Sequence, residues 1–397
     1  MPDAADGPAW LPMAQVEAQT WSQPTSNTVE NLVDVVFSTS ATAAAVGDAA
    51  ATIASGDGGA SWVDETVGTL LAADLTAVFS NGVTIVAVGI DQDGGGGEPE
   101  AVIASGDRGA TWVEITNLPP TDDDMAAGLF VNSTNAVAVS DQVGGEILLS
   151  VDRGASWTNP HSAPDALNAV DSRGALVVVA GDALGANETI SRSLDAGVNW
   201  ADASSVPGAG QNMNDVAIVT ATTVVAVGQN GEILRSTDTA DNWLNPFTAA
   251  DNLNAVVASN NTLIAVGDSR TIVRSIDAGA SWILPTTPSA AGGTNLNDVL
   301  FLTSSIALAV GDNGEIYSSD DLGDVWTAQT STTTENLMAV AYNGINNTVV
   351  VGDNGIVLLS RNQVPTIEPI PFASKWTLVL LLVGAGLISL RRLRTAR

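Results

Sequence analysis

Residues 309–326, AVGDNGEIYSSDDLGDVW, hold in one short stretch the signals that decide the fold of this chain. An apolar run ends at Gly311 and is followed by Asp312-Asn313-Gly314, which is typical of a tight hairpin turn because Asn and Gly tolerate positive φ. A second apolar run then leads to the phrase S-x-D-x-G-x-x-W at residues 319–326. Short apolar runs bounded by Gly, Asp and Asn predict β-strands joined by tight turns.

The same phrase recurs along the chain with a nearly constant period. Eight of the ten tryptophans follow one another at intervals of 39 to 50 residues: Trp21, Trp62, Trp112, Trp157, Trp200, Trp243, Trp282 and Trp326. The aspartates of the phrase are Asp57, Asp107, Asp152, Asp195, Asp238, Asp277 and Asp321. The copy at residues 236–243 has Ala240 in place of the glycine. A repeat of this length indicates one continuous array rather than separate domains.

Each repeat unit is predicted to form four strands. Four strands in about 40–45 residues is typical of one blade of a β-propeller. The element around Trp21 is a fourth strand without its first three, and the last unit, residues 337–360, has three strands and no tryptophan. Pairing these two ends would remove the open sheet edges. The sequence therefore predicts an all-β, eight-bladed β-propeller whose N-terminal strand closes the last blade. Seven blades is the alternative, if the second or third unit is displaced from the ring.

The repeated phrase resembles the Asp-box, or BNR repeat, of sialidases and related propellers, over about residues 20–360. The resemblance implies that each aspartate accepts backbone N–H bonds, that the glycine is left-handed, and that the tryptophan packs against the turn. The alternative is that these aspartates are catalytic or bind calcium. A catalytic residue need not recur in every blade, which favours the structural role.

The motif V-G-D-x-G-x-I, which precedes the Asp-box, resembles most the repeat of the photosynthesis system II assembly and stability factor family of propellers. In photosynthetic organisms, members of that family chaperone a reaction-centre subunit and use a basic patch. The resemblance implies the propeller fold and a role in assembly. In this chain the matching face is predicted to be acidic, with no cluster of arginines.

The chain is strongly acidic. Its net charge is −31, from 44 acidic and 13 basic residues, and five of the basic residues lie after residue 370. Such a surface repels nucleic acid and anionic lipid, and attracts cations or a basic partner, whether protein or glycan. Solubility is the alternative explanation of the charge. The absence of cysteine excludes disulfides and Cys-zinc sites.

One group of carboxylates is predicted to converge. In a propeller the turns between second and third strands lie on one face, and here they carry Asp48, Asp91, Asp141, Asp182, Asp268, Asp312 and Asp353, with Gln229 in the fifth unit. Two longer acidic loops should join this acidic face: residues 91–98, with Asp93 and Glu98, and residues 121–124. Turn preference for Asp after Gly is the alternative explanation. Asp91, Asp93 and Glu98 form a weak calcium candidate, and no other metal or cofactor is expected.

No catalytic constellation is evident. Sialidases need convergent arginines, whereas Arg192, Arg235 and Arg274 recur at one place in three third strands, which predicts a surface position. The single histidine, His161, is predicted to be solvated in a loop. We therefore expect no enzyme activity, with a carboxylate-dependent, sialidase-like carbohydrate-active enzyme as the alternative.

The two ends of the chain differ from the array. The sequence predicts an N-terminal segment at 1–19, the propeller at 20–361, a Pro-containing linker at 362–375, a transmembrane helix at 376–390 and a basic cytoplasmic tail at 391–397. The segment from Pro369 onward resembles IPTL-type C-terminal sorting signals of Gram-negative bacteria. Residues 1–20 show no signal-peptide pattern, so we expect the true start to lie upstream.

Together these features predict a protein of the bacterial cell envelope, with its propeller in the periplasm or outside the cell. The expected function is a non-enzymatic, surface- or membrane-anchored scaffold for binding or assembly. An assembly chaperone for a membrane protein complex is the first alternative, and a carbohydrate-active enzyme is the second.

Overall fold

The computed structural model describes residues 19–65, 73–91, 101–119, 124–185, 187–207, 210–286 and 293–361. These residues form an all-β structure with only single-turn 3₁₀ segments. The predicted linker, transmembrane helix, sorting signal and basic tail, and residues 1–18 of the N-terminal segment, lie outside the described residues. Within the described ranges, no helix combines the length and the apolar composition needed to cross a membrane.

The strands are numbered in chain order and grouped by blade. β1 (Trp21–Ser22) comes first. Blade 1 has β2 (Leu32–Phe37), β3 (Ala43–Gly47), β4 (Thr52–Ser55) and β5 (Val63–Asp64). Blade 2 has β6 (Ala73–Ser80), β7 (Ile85–Asp91), β8 (Ala101–Ser105) and β9 (Val113–Glu114). Blade 3 has β10 (Met125–Phe130), β11 (Ala136–Ser140), β12 (Glu146–Ser150) and β13 (Thr158–Ser162). Blade 4 has β14 (Leu167–Arg173), β15 (Leu176–Leu184), β16 (Asn187–Ser193) and β17 (Trp200–Asp202).

The second half of the chain continues the same order. Blade 5 has β18 (Met213–Ile218), β19 (Val224–Gly228), β20 (Glu232–Ser236) and β21 (Trp243–Thr248). Blade 6 has β22 (Leu253–Ser259), β23 (Thr262–Gly267) and β24 (Ile272–Ser275). Blade 7 has β25 (Leu296–Phe301), β26 (Ala307–Gly311), β27 (Ile316–Ser319) and β28 (Thr327–Gln329). Blade 8 has β29 (Leu337–Tyr342), β30 (Asn347–Gly352) and β31 (Val357–Arg361).

The eight blades are eight antiparallel sheets, and the prediction of an eight-bladed propeller is confirmed. Blade 8 has the order β1-β31-β30-β29, and Trp21 lies opposite Ser360, so the N-terminal strand completes the last sheet. Both units suspected of displacement, blades 2 and 3, are complete four-stranded sheets. In blade 6 the fourth strand is reduced to one bridge between Arg274 and Ile283.

The core lies between neighbouring blades. Every residue of β3, β11, β19 and β26 is buried. Alternate residues of a strand point to opposite faces of its sheet, so a strand buried on both faces consists of small or β-branched apolar residues. The cluster between blades 8 and 1 joins Leu32 and Trp62 to Val349 and Leu359. These apolar contacts extend around the ring and hold each blade against the next.

Because strand direction alternates, the ring has two faces. The turn face carries the turns from second to third strands and the connections from each blade to the next. Five of its turns are 3₁₀ segments: Asp48–Ala50, Gln229–Gly231, Asp268–Arg270, Asp312–Gly314 and Asp353–Gly355. The opposite, box face carries the seven box turns, residues 55–62, 105–112, 150–157, 193–200, 236–243, 275–282 and 319–326.

Candidate functional site

The turns of the turn face are held by a ring of hydrogen bonds that crosses blade boundaries. In blade 1 the Asp48 amide donates to the Asn31 carbonyl at 3.0 Å, and Asn31 Nδ2 donates to Asp48 Oδ2 at 2.8 Å. Asn31 Oδ1 also accepts from the Asn354 amide of blade 8, at 2.9 Å. The same arrangement recurs at Asn252 and Asn336, which connect their own turn to that of the preceding blade. One asparagine before a first strand therefore fixes two turns.

The structure places five of the predicted turn-face aspartates in equivalent positions. Asp48, Asp182, Asp268, Asp312 and Asp353 are half-buried, and each carboxylate accepts a hydrogen bond from an asparagine of its own blade. Asp141 is exposed on the same face. Asp91 ends β7, and its side chain lies outside the described residues together with Asp93, Glu98 and residues 121–123. These aspartates thus stabilise their turns while keeping part of each carboxylate open to solvent.

Positive charge on the turn face is neutralised. Among the described residues, Arg270 is the arginine of this face, and its Nε donates to Glu315 Oε2 at 2.8 Å. The guanidinium also lies 5.4 Å from the centre of the Tyr317 ring. The hydrogen bond to Glu315 raises the pKa of Arg270, so the guanidinium stays charged. The five equivalent turn aspartates are bonded to neutral amides, and the face therefore keeps a negative potential.

An inner ring of aspartates was missed by sequence reasoning. Asp34, Asp215 and Asp298 are the third residues of the innermost strands of blades 1, 5 and 7. Asp34 Oδ1 accepts the Val35 amide at 2.7 Å and Oδ2 accepts the Val78 amide of blade 2 at 2.8 Å. The signal in the sequence was an Asp-Val pair two residues after the Leu or Met that begins the first strand, as in Leu32-Val-Asp-Val, Met213-Asn-Asp-Val and Leu296-Asn-Asp-Val.

Burial controls the protonation of this inner ring. It raises the pKa of Asp34 and of Asp215 to about 7, and that of Asp298 to about 6. The negative charge of Asp298 adds to the increase at Asp34 and Asp215. Asp171, in the first strand of blade 4, bridges to the Ile218 amide of blade 5 and its pKa is also raised by burial. Each of these carboxyls is held by backbone donors from two blades.

The seven box turns share one hydrogen-bond pattern. The first serine donates to Oδ1 of the aspartate at 2.8–2.9 Å, and the backbone amide four residues after the aspartate donates to the same atom at 2.8–3.0 Å. The bond from the Asn242 amide, with that from its side chain, lowers the pKa of Asp238 to about 2. In six of these turns the tryptophan Nε1 donates back to the turn, as from Trp62 to the Gly59 carbonyl at 3.0 Å. The carboxylate of each box aspartate therefore accepts these hydrogen bonds from residues of its own turn.

The prediction that the three repeated arginines lie at the surface was wrong. Arg192 and Arg274 are mostly buried, with side chains 17% and 12% exposed, because each reaches an aspartate of the next blade's box turn, Asp241 at 2.7 Å and Asp324 at 2.9 Å. Arg235 Nε likewise donates to the Ala278 carbonyl of the next box turn at 2.7 Å. These arginines connect blades along the outer rim, and they do not converge on a common site.

The single histidine does not lie in a loop. His161 belongs to β13, and its Nε2 lies 3.0 Å from Asp202 Oδ1 of the next blade. The fourth strand of blade 3 follows Trp157 and includes Pro160. Among the described residues, no three His, Asp or Glu side chains form a group that could hold a metal ion.

Comparisons with known proteins show the fold. No protein-family model and no curated protein matches the chain. The structure is similar to that of YCF48 bound to a D1 peptide, with 16% sequence identity and a TM-score of 0.60, over 88% of this chain and 99% of that one. It is also similar to YCF48 from Cyanidioschyzon merolae (15% identity, TM-score 0.56, 86% and 98% covered). The computationally designed Ika8 protein has 12% identity and a TM-score of 0.65, with 85% and 98% covered.

These likenesses define the class of the molecule as a closed β-propeller. Within that class the chain resembles YCF48 over nearly the whole length of both molecules. At such low identity the likeness concerns the fold.

Proposed function

We propose that this protein is a non-enzymatic binding scaffold whose turn face holds a basic segment of a protein partner. The observation that carries the proposal is the charge of that face. Its aspartates recur from blade to blade, and its described arginine, Arg270, is already paired with Glu315. Charge complementarity speeds association with a basic partner and favours it over other partners. The negative charge of the turn face also repels nucleic acid and anionic lipid.

The similarity to YCF48 supports a protein as the partner, because YCF48 has been seen with a peptide bound. The membrane anchor expected at 376–390 would hold the propeller at the cell envelope, beside membrane proteins. A chaperone that assists the assembly of a membrane complex is the more specific form of this proposal. The resemblance of the repeat to the photosystem II assembly and stability factor family supports it.

Calorimetric titration of the full chain with a Lys/Arg-rich peptide, and with an acidic peptide of equal length, tests the proposal. We expect binding of the basic peptide only, weakening several-fold between about 50 and 200 mM salt. Asp141→Lys on the turn face should weaken binding more than Asp320→Lys, a matched change at an exposed residue of the box face. Equal effects of the two variants, or binding that ignores salt, would contradict the proposal.

A further inference from the structure

A cavity of about 480 Å³ lies beside the third and fourth strands of blade 4 and the connection from blade 4 to blade 5. Its lining consists of Pro164, Glu188, Thr189, Ile190 and residues 202–206. Glu188 lies near the start of β16, directly after the hairpin of the turn face, whereas Ser204 and Ser205 bond Asp241 of the next box turn, so the cavity lies beside the boundary between blades 4 and 5. The volume falls within the range of about 300–1,000 Å³ that is usual for ligand sites.

Two buried polar atoms in the lining lack a partner among the described residues. They are Oε2 of Glu188, a residue only 4% exposed, and Oγ1 of Thr189, a residue only 2% exposed. The other oxygen of Glu188 is fixed, since Oε1 accepts the amides of Gly210 at 3.2 Å and Gln211 at 3.3 Å. A buried acceptor without a donor costs free energy, so Oε2 of Glu188 indicates that a donor group enters the cavity.

The carboxyl of Glu232 lies near that of Glu188. Glu232 begins the third strand of blade 5 and is 3% exposed, and its Oε1 accepts from Asn245 Nδ2 at 3.1 Å. Its Oε2 also lacks a donor. Burial, and then the nearby charge of Glu188, raises the pKa of Glu232 to about 7. Glu232 therefore retains a proton up to about neutral pH.

The other charged groups around the cavity are already paired. Asp202 Oδ1 accepts from Ser191 Oγ at 2.7 Å and lies 3.0 Å from His161 Nε2. Arg192 is paired with Asp241 at 2.7 Å, and Asp241 also accepts from Ser204. Among the described residues, Glu188 is thus the acidic residue of the lining that is not paired with a cationic side chain. The apolar surfaces of Pro164, Ile190 and Val206 are suited to the methylene stem of a long side chain.

We propose that this cavity binds a lysine or arginine side chain of the partner's basic segment, with Glu188 as its counter-ion. The inference deepens the proposed function and rests on it. Entry of the cation supplies donors to Oε2 of Glu188, and its positive charge favours ionisation of the neighbouring Glu232, whose proton is released. Binding therefore releases a proton, and the affinity increases as the pH rises through about 7.

The test uses a nine-residue Gly/Ser peptide with one central arginine, and the same peptide with neutral citrulline in its place. The full chain is titrated calorimetrically at pH 6 and pH 8, in two buffers of different ionisation enthalpy that count released protons. We expect the arginine peptide to bind several-fold tighter at pH 8 than at pH 6, with proton release at pH 6. The citrulline peptide should not bind measurably.

Two isosteric variants separate binding from a merely structural role. Glu188→Gln should weaken binding of the arginine peptide about tenfold at pH 8. Glu232→Gln removes the group that loses the proton, so binding at pH 6 should approach its pH 8 strength and proton release should vanish. Equal losses in the two variants would overturn the inference, since a structural defect gives that result.

The outcome also separates this inference from the proposed function. If Lys/Arg-rich peptides bind but Glu188→Gln behaves as wild type, the cavity is not the anchor and the turn face remains the binding surface. If Lys/Arg-rich peptides do not bind the wild-type chain, both the proposed function and the inference are wrong.

Discussion

Trp21 is paired with Ser360, so the first described strand and the last one belong to the same sheet. Ser22 Oγ strengthens the pairing by donating to the Leu359 carbonyl at 3.1 Å. Asn347 and Asn354 of blade 8 also donate to Gly58 and Asn31 of blade 1, at 2.7 and 2.9 Å. Closure by both ends leaves no open sheet edge between the last blade and the first. It also places all of the turn aspartates on one face.

The glycine of the third box turn is required by its neighbour as well as by its own backbone. Gly154 has φ +85°, and a Cβ placed there would lie 2.6 Å from Val86 Cγ2 in the preceding blade. Gly154→Ala should therefore lower the free energy of unfolding by about 3 kcal/mol, measured by urea denaturation. Gly106→Ala is the control, because no atom lies within 4 Å and φ is not left-handed. A similar loss in both variants would show that the contact between blades is unimportant.

Adjacent aspartates in the seventh box turn offer a matched comparison. Asp321 Oδ1 accepts from Ser319 Oγ and from the amides of Asp324 and Val325, each at 2.9 Å. Asp321→Ala should lower the free energy of unfolding by about 1–3 kcal/mol, because these donors lose their acceptor. Asp320 is exposed, and Asp320→Ala should stay within about 0.5 kcal/mol of wild type in the same measurement. Little change at Asp321 would contradict the structural role of the box aspartates.

The inner and box aspartates affect stability over different pH ranges. Asp34, Asp215 and Asp298 have raised pKa values, so the folded chain binds more protons than the unfolded chain between about pH 4 and 7. Their contribution to stability is therefore present at pH 4 and is lost as the pH rises through 7. Asp238, whose pKa is lowered to about 2, contributes above about pH 4 and loses that contribution as the pH falls toward 2.

Urea denaturation at pH 3, 5 and 8 should thus give the highest free energy of unfolding at pH 5. Asp34→Asn should reduce the decrease between pH 5 and pH 8 by about 1 kcal/mol or more. Asp320→Asn, which removes an equal charge from an exposed position, should leave that decrease unchanged. Stability that rises from pH 5 to pH 8 in the wild-type chain would be inconsistent with the buried inner ring.

The fold was predictable because each local signal in the sequence repeats. The turn at Asp312-Asn313-Gly314, the buried run at Ala307–Gly311 and the box ending at Trp326 each specify a local structure, and the period specifies the blade. The pairing of Trp21 with the last blade followed from counting strands at the two ends. Such features depend on contacts between residues that are close in the sequence or related by the repeat.

Contacts between blades were harder to predict, because they depend on the angle and register between neighbouring sheets. Arg192 reaches Asp241, and Asp34 reaches the Val78 amide, across boundaries that no local pattern describes. Glu188 and Glu232 come from the third strands of different blades, β16 and β20, so their proximity depends on how blades 4 and 5 pack together. The sequence showed that acidic residues are abundant, but it did not show which of them become buried.

Cross-linking the two ends of the chain tests ring closure, on which every surface described above depends. Ser22 lies opposite Leu359 on adjacent antiparallel strands, a separation that suits a disulfide, and the chain has no cysteine of its own. The variant Ser22→Cys/Leu359→Cys should form an intramolecular disulfide on mild oxidation, visible as faster migration on a non-reducing gel. Ser22→Cys/Leu358→Cys should not, since residue 358 points to the other side of its strand. Failure of the 22–359 pair to link, or equal linking by both pairs, would contradict a propeller closed by its N-terminal strand.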